Sequence, residues 1–475
     1  MKHLFLLLIL PALCACAPQP VSLAQIDAEE KAGNFTRAAH LIDLYIAEAN
    51  PPAATVYDLQ WRKDRMHRIA LEFDQTKDDV RNYIQKYYPD VNDEMLAKWE
   101  SEKSLEARTI DGERRYFAEA APNLFRINRD AAARKREINP PAPDKKEDIL
   151  QTHLPEAVAA ANRTGKPLSP PVRMKVSYRV TLKPDAVPAG EVVRCWLPYL
   201  REDNRRQTNV RLLSVNDDNY IISPPEYAHR TLYMEKTARQ GEPLEFAFEF
   251  SYQSAAEWFG LAAKTLAPYD TDSELYKNYT AERPPHIVFS DSIKAVSARI
   301  VGDEANPYRK MKKIFTWIDE TFPWAGAMDY STINNIPEYV LENRHGDCGQ
   351  VTLLFMTLAR YNGIPARWQS GFMMHPNRTN LHDWSEFYIE GIGWIPMDES
   401  FGVNRFSEDD DVKYFYTNGI DAYRWIVNDD YSQPLFPAKI YPRSDVIDFQ
   451  RGELEWKGGN LFYDQWTWSF DVSYE

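Results

Sequence analysis

Cysteine is scarce in this chain: four in 475 residues, too few for a disulfide-stapled scaffold. Cys14 and Cys16 lie at the extreme N-terminus, so Cys195 and Cys348 are the thiols of the folded part, either one disulfide or two separate jobs. Positive charge is short as well. Lys and Arg number 56 against 70 Asp and Glu, a formal net charge of −14, which argues against nucleic acid or an anionic bilayer surface as partner. No apolar run reaches the ~20 residues that span a bilayer. The nine His residues show no His-Glu-x-x-His or Cys/His ligand spacing, so no metal is expected. The acidic run Ser407–Lys413 lacks the Asp-x-Asp-x-Asp-Gly calcium loop and reads as a solvated turn. Neither a Gly-x-Ser-x-Gly elbow nor a phosphate-cradling glycine loop is present, and no cofactor is expected.

Apolar and aromatic residues, by contrast, are plentiful. At 44% and 13% of the chain they suffice for several cores, and the length suggests about three domains. The N-terminus, MKHLFLLLILPALCACAPQP, has one Lys before a short apolar stretch, the pattern of a secretion signal over residues 1–15. Leu13-Cys14-Ala15-Cys16 resembles a bacterial lipobox. That resemblance implies lipidation of Cys16 and an exported protein, lipid-anchored to the cell envelope.

Residues 16–150 read as a helical N-terminal domain, with Phe35, Ala38, Ala39, Ile42 and Ile46 at three-to-four spacing before Pro51-Pro52. Seven prolines between 139 and 171 mark a boundary, with the linker placed at 151–171. The period then becomes two. Met174, Val176, Tyr178, Val180 and Leu182 alternate with polar residues, as do Leu244, Phe246, Phe248, Phe250 and Tyr252, predicting a β-sandwich over 172–256. Cys195 shares the face of Val193 and Leu197 and is expected to be buried and inert. Residues 257–405 form a mixed core, and 406–475 an aromatic, strand-rich C-terminal extension. The fold class is α+β and multidomain.

The chemistry centres on Cys348. Val351, Leu354, Phe355 and Leu358 define a helix that ends near Tyr361-Asn362-Gly363, with Asp347 at its N-cap. Cys348 then lies in the first turn, where free N–H groups favour a thiolate and can hold an oxyanion. Downstream, strands His382–Ile389 and Trp394–Asp398 flank a Gly-rich turn. A three-residue loop would make His382 and Asp398 diagonal neighbours, an imidazole–carboxylate pair. Trp384 and Trp394 are expected to pack the hairpin, and His345 to sit on an exposed loop.

Taken together, GDCG opening a helix, GIPARWQSGF, HDW and GWIPMDES resemble the transglutaminase-like family of papain-type thiol enzymes over about residues 310–400. The resemblance implies a papain-like core with a helix-borne Cys and an antiparallel sheet. By position it implies Cys348 as nucleophile, His382 as base, Asp398 as its orienter and Trp324 near the oxyanion pocket. Leu381 and Asp383 stand where that family commonly has small residues. Alternation points Asp383 away from the reacting groups. The implied activity is hydrolysis of amide bonds through an acyl-thioester, with a peptide or protein, for example a peptidoglycan stem peptide, as substrate. The alternatives are an acyl-transferring (cross-linking) transglutaminase and a non-catalytic envelope-binding module that keeps the fold.

Overall fold

The structure, a computed structural model, describes residues 20–141, 145–376 and 378–475; the signal segment and Cys16 lie outside them. The chain divides into two compact units, one made of residues up to 77 with 107–117, the other of 78–106 with 118–475.

In the first unit, helices α1 (Leu23–Ala32), α2 (Phe35–Ala49) and α3 (Ala53–Glu72) close over Ile26, Ala38, Ile42, Leu59 and Met66. A hairpin of β1 (Ala107–Ile110) and β2 (Glu113–Tyr116) joins them. Asp111 and Gly112, both at positive φ, make its two-residue turn, the Asp-Gly pairing that such turns favour. The backbone of Asp111 bonds Gly33 O at 2.8 Å, and Tyr116 exchanges backbone bonds with Gln75. The expected single helical domain over 16–150 is therefore divided. Strands of four residues are too short to register against the surrounding helical pattern, although the Asp-Gly turn marked them.

Linker 151–171 is also corrected. Helix α4 (Lys145–Thr164) runs through most of it and contains Pro155. A helix-interior proline costs about 3 kcal/mol. Leu150, Leu154, Ala157 and Ala161 recur on one buried face, and two buried leucines alone return a comparable amount.

The sandwich forms as expected from β3 (Val172–Leu182), β4 (Val192–Pro198), β5 (Gln207–Val215), β6 (Tyr220–Ile222), β7 (Thr231–Thr237) and β8 (Leu244–Ser254). Its core holds Cys195, fully buried, between Met234 and Leu454 on the neighbouring strands.

The mixed core is built on α5 (Cys348–Tyr361) and a four-stranded antiparallel sheet, in the order β11 (Gly393–Met397), β10 (Arg378–Ile389), β9 (Ala366–His375), β12 (Arg424–Asn428). Residues 406–475 are not a separate extension. They supply β12 to this sheet and β13 (Glu453–Trp456), β14 (Gly459–Leu461) and β15 (Trp466–Tyr474) to the sandwich. β15 pairs with β3 from Met174 to Leu182 and covers an edge that would otherwise expose unpaired backbone. Phe372 and Trp425 stack at 4.2 Å and pack into the sandwich core, so the two sheets share apolar contacts.

Candidate active site

Asp347 starts α5 as a capping box. Its carboxylate accepts from Gln350 N at 3.0 Å, and Gln350 Oε1 accepts from Asp347 N at 3.2 Å. Tyr330, in the turn Tyr330–Thr332, donates its hydroxyl to the same carboxylate at 2.7 Å. Burial pushes the Asp347 carboxyl up to about 6, the donors from Gln350 and Tyr330 opposing it. Asp347→Ala should cost about 1–2 kcal/mol in chemical denaturation, the worth of a cap in a buried setting.

Cys348 is thus delivered to the first turn, partly exposed. Two features place it. Gly349 has no room for a side chain, since a Cβ there would lie 2.6 Å from Asp383 Oδ2. The backbone ahead of it is tied down by Trp324, which bridges Gly346, and by Ala325 N bonding Gly346 O at 3.2 Å. Trp324 itself is about half exposed, its ring 5.1 Å from the Arg126 guanidinium.

The β10–β11 hairpin has the anticipated three-residue loop, with Ile389 opposite Gly393. It places His382 Nε2 2.7 Å from Asp398 Oδ2, the diagonal pairing read from the spacing. Asp398 is fully buried, and its Oδ1 accepts from Phe401 N at 3.1 Å. Arg424 Nη1 approaches Oδ2 to 2.9 Å. Burial alone would raise the Asp398 carboxyl, but His382 and Arg424 outweigh it and hold it below the ordinary range. Arg424 also binds Asp421 Oδ2 through Nε and Nη2 at 3.0 and 2.5 Å, and Asp421 Oδ1 lies 3.0 Å from His375 Nε2. Trp384 is buried with its Nε1 on Gln369 Oε1, and Trp394 stacks on Arg367, as hairpin packing requires.

The sulfur's own hydrogen bond goes elsewhere. Cys348 Sγ donates to Asp383 Oδ2 at 3.4 Å. Asp383 does alternate away from His382 along β10, but the face it joins is the one α5 packs against. Two residues on, Ser385 likewise meets Glu399, which Thr352 of α5 also touches. The expectation that Asp383 would stay clear of the reacting groups is overturned. The helix N-terminus was expected to lower the thiol, yet burial pushes it well up, and the carboxyls of Asp383 and Asp347 add to this. His345 is buried rather than exposed, edge-on to Tyr339, and burial pushes it down to about 4. Leu381 packs against the sandwich core.

The sequence reading missed Tyr330, Asp383, Arg424, Asp448 and Gln450. Only Asp383 carried a signal, as a charged residue in a half-buried strand position. Arg424, Asp448 and Gln450 arrive from a distant C-terminal segment.

Residues 294–399 match the model of the transglutaminase-like superfamily. The matched segment holds α5, β9, β10 and β11 and is less than a quarter of the chain. Among curated relatives, an uncharacterized protein of Haemophilus influenzae is 28% identical over 160 residues, 28% of this chain and 41% of its own length. The uncharacterized protein YebA of Bacillus subtilis is 23% identical over 260 residues, 46% of this chain and 34% of its own. The chain therefore spans less than half the length of the curated relatives it matches. Two solved structures are similar. A candidate cysteine protease from Cytophaga hutchinsonii has 14% identity and a TM-score of 0.44, over 65% of this chain and 92% of that one. The periplasmic domain of TgpA from Pseudomonas aeruginosa has 13% identity and a TM-score of 0.25, over 48% and 88%.

Proposed function

We propose that the protein is an exported thiol hydrolase of amide bonds in peptides or proteins, with Cys348 as nucleophile, His382 as base and Asp398 as its orienter. The observation that carries the proposal is the His382–Asp398 pair at 2.7 Å, built by the β10–β11 hairpin beyond the helix that bears the partly exposed cysteine. An ionised Asp398 accepts a hydrogen bond from Nε2–H, which keeps the proton on Nε2 and makes Nδ1 the basic nitrogen of the imidazole. His382 accepts the thiol proton as sulfur attacks the carbonyl carbon. First-turn N–H groups of α5 receive the oxyanion, and His382 returns the proton to the departing amine. Water then cleaves the acyl-thioester, or an amine takes the acyl group if the enzyme transfers rather than hydrolyses. The signal-like N-terminus supports export, and lipidation at Cys16 would tether the protein to the cell envelope. Among the described residues no helix is long and apolar enough to cross a membrane.

The test is intact-mass detection of an acyl adduct during turnover of a peptide-amide panel, with and without an added alkylamine. Adduct is expected on Cys348, to be cleared by hydroxylamine, absent in Cys348→Ser and strongly slowed in His382→Ala. Product carrying the alkylamine would assign acyl transfer. Adduct forming equally fast in His382→Ala would sink the role of the imidazole. The carboxyl beside the thiol favours one second reading, a module that keeps the fold but binds without turnover. It would be supported by peptide binding without any adduct.

A further inference from the structure

Asp383 faces the sulfur with one oxygen and is held by the other. Gln450 Nε2 donates to Asp383 Oδ1 at 2.7 Å, and the same amide reaches Gly371 O at 2.9 Å and His382 O at 3.0 Å. One side chain from the segment after β12 therefore straddles β9 and β10 at the position where the thiol docks. The next acid, Asp448, is saturated on Oδ1 by Ser370 Oγ at 2.5 Å, Asn428 Nδ2 at 2.8 Å and Phe449 N at 2.8 Å. Its Oδ2 is buried with no N–H or hydroxyl donor. A proton on Asp383 is the group that satisfies it. Burial, followed by the nearby Asp448, raises Asp383, in keeping with that assignment. The two carboxyls then hold one proton and one negative charge.

With its proton turned to Asp448 and Oδ1 filled by Gln450, Asp383 offers the sulfur a lone pair. A lone pair accepts from an S–H and repels a thiolate. The remaining groups around the site do not reverse this. Asp347 stands one residue before the thiol. Tyr330, whose hydroxyl lies 3.5 Å from Asp383 Oδ2, donates at 2.7 Å to Asp347. From the C-terminal segment, Arg451 favours ionised Asp347, while Asp445 is raised by burial and by the nearby Asp448 and Asp329, with Arg443 opposing.

We infer that Asp383, clamped by Gln450, is the acceptor that holds the Cys348 thiol neutral in the resting enzyme, so that the C-terminal segment governs when the cysteine becomes reactive. This rests on Cys348 being the nucleophile. Activation then means letting Oδ2 leave the sulfur, by movement of the segment carrying Asp448 and Gln450 or by substrate entry, after which His382 takes the proton.

The test is iodoacetamide labelling of the full-length protein from pH 5 to 9, with mass spectrometry reading Cys348 and Cys195 separately. Cys195 is fully buried and reports folding. In Asp383→Asn the acceptor becomes an amide that can donate to a thiolate. The Cys348 profile should move at least one pH unit downward, about a tenfold rise in rate near neutrality. Gln450→Ala keeps both carboxyls but frees Asp383, and should shift the profile the same way by less. An unchanged or upward-shifted profile in Asp383→Asn, with Cys195 still protected, overturns the inference. If Cys195 becomes labelled in that variant, Gln450→Ala decides by the same criterion. Adding His382→Ala to Asp383→Asn separates the two claims. If the acceleration survives without the imidazole, Asp383 holds the thiol but His382 is not its base. If it disappears, both stand.

Discussion

Replacing Arg424 with Met is expected to remove about 3–5 kcal/mol of folding stability, the cost of leaving a buried charge without its partner. Arg424 is fully buried and touches two carboxylates that are themselves fully buried, Asp398 at 2.9 Å and Asp421 at 2.5 Å. Met fills the volume but not the charge, so Asp398 is left with His382, and Asp421 with His375, to offset a buried negative charge. Urea denaturation of both proteins reads the difference directly. The pH dependence gives a second check. In the wild type Asp398 and Asp421 are held below their ordinary range, Asp421 well below it, because Arg424 with His382 or His375 outweighs burial. The unfolded chain protonates these acids near pH 3.9 and the folded chain only lower down. Their contribution is therefore complete above about pH 4 and is lost as pH falls through the folded values. In Arg424→Met each acid loses one of the two cations that oppose burial, so both titrate higher and this contribution shrinks. The gap between the two proteins should be widest near neutral pH and close on acidification. Asp347, Asp445 and Glu399, all raised by burial, contribute in the opposite direction. They are common to both proteins and cancel in the difference. A gap that stays constant from pH 7 to pH 4 would mean that Arg424 acts through packing alone.

The second large effect concerns turnover. His382→Ala should lower kcat/KM by about a thousandfold or more, as loss of a positioned base does. Asp398→Asn should lose a comparable factor, because an amide at that position accepts only weakly from Nε2–H and can favour the wrong tautomer. The two losses should not add in the double variant, since both groups act on one proton. Asp398 also meets Arg424, so part of any effect of Asp398→Asn is structural. The comparison must be made at a denaturant-free temperature where circular dichroism shows the variant folded. Equal activity of His382→Ala and wild type would remove His382 from the reaction.

Much of this site was legible locally. The Cys348 helix, its Asp347 cap and its end near Gly363 follow from residues within one or two turns of each other. The hairpin follows from period-two alternation across a glycine turn. The His382–Asp398 pairing then comes from counting residues across that turn, because loop length fixes register. For the same reason Cys195 could be assigned to the sandwich core from its neighbours on one strand. His345 was misread because burial of a loop residue depends on what packs over it, and the sequence near it does not record that.

What the chain alone determined is therefore the set of local elements and the groups each one carries. Caps, periodicity and turns act over a few residues, and the sequence states them directly. Only the tertiary structure decided which of those groups meet. It placed Asp383, not His382, against the sulfur, because the face of a strand that receives a helix is chosen by long-range packing. It also carried Arg424, Asp448 and Gln450 in from a segment some forty to a hundred residues beyond Cys348 and His382, using that segment to complete both sheets. Contacts of that kind close large loops and are paid in chain entropy. No pattern within either segment specifies them.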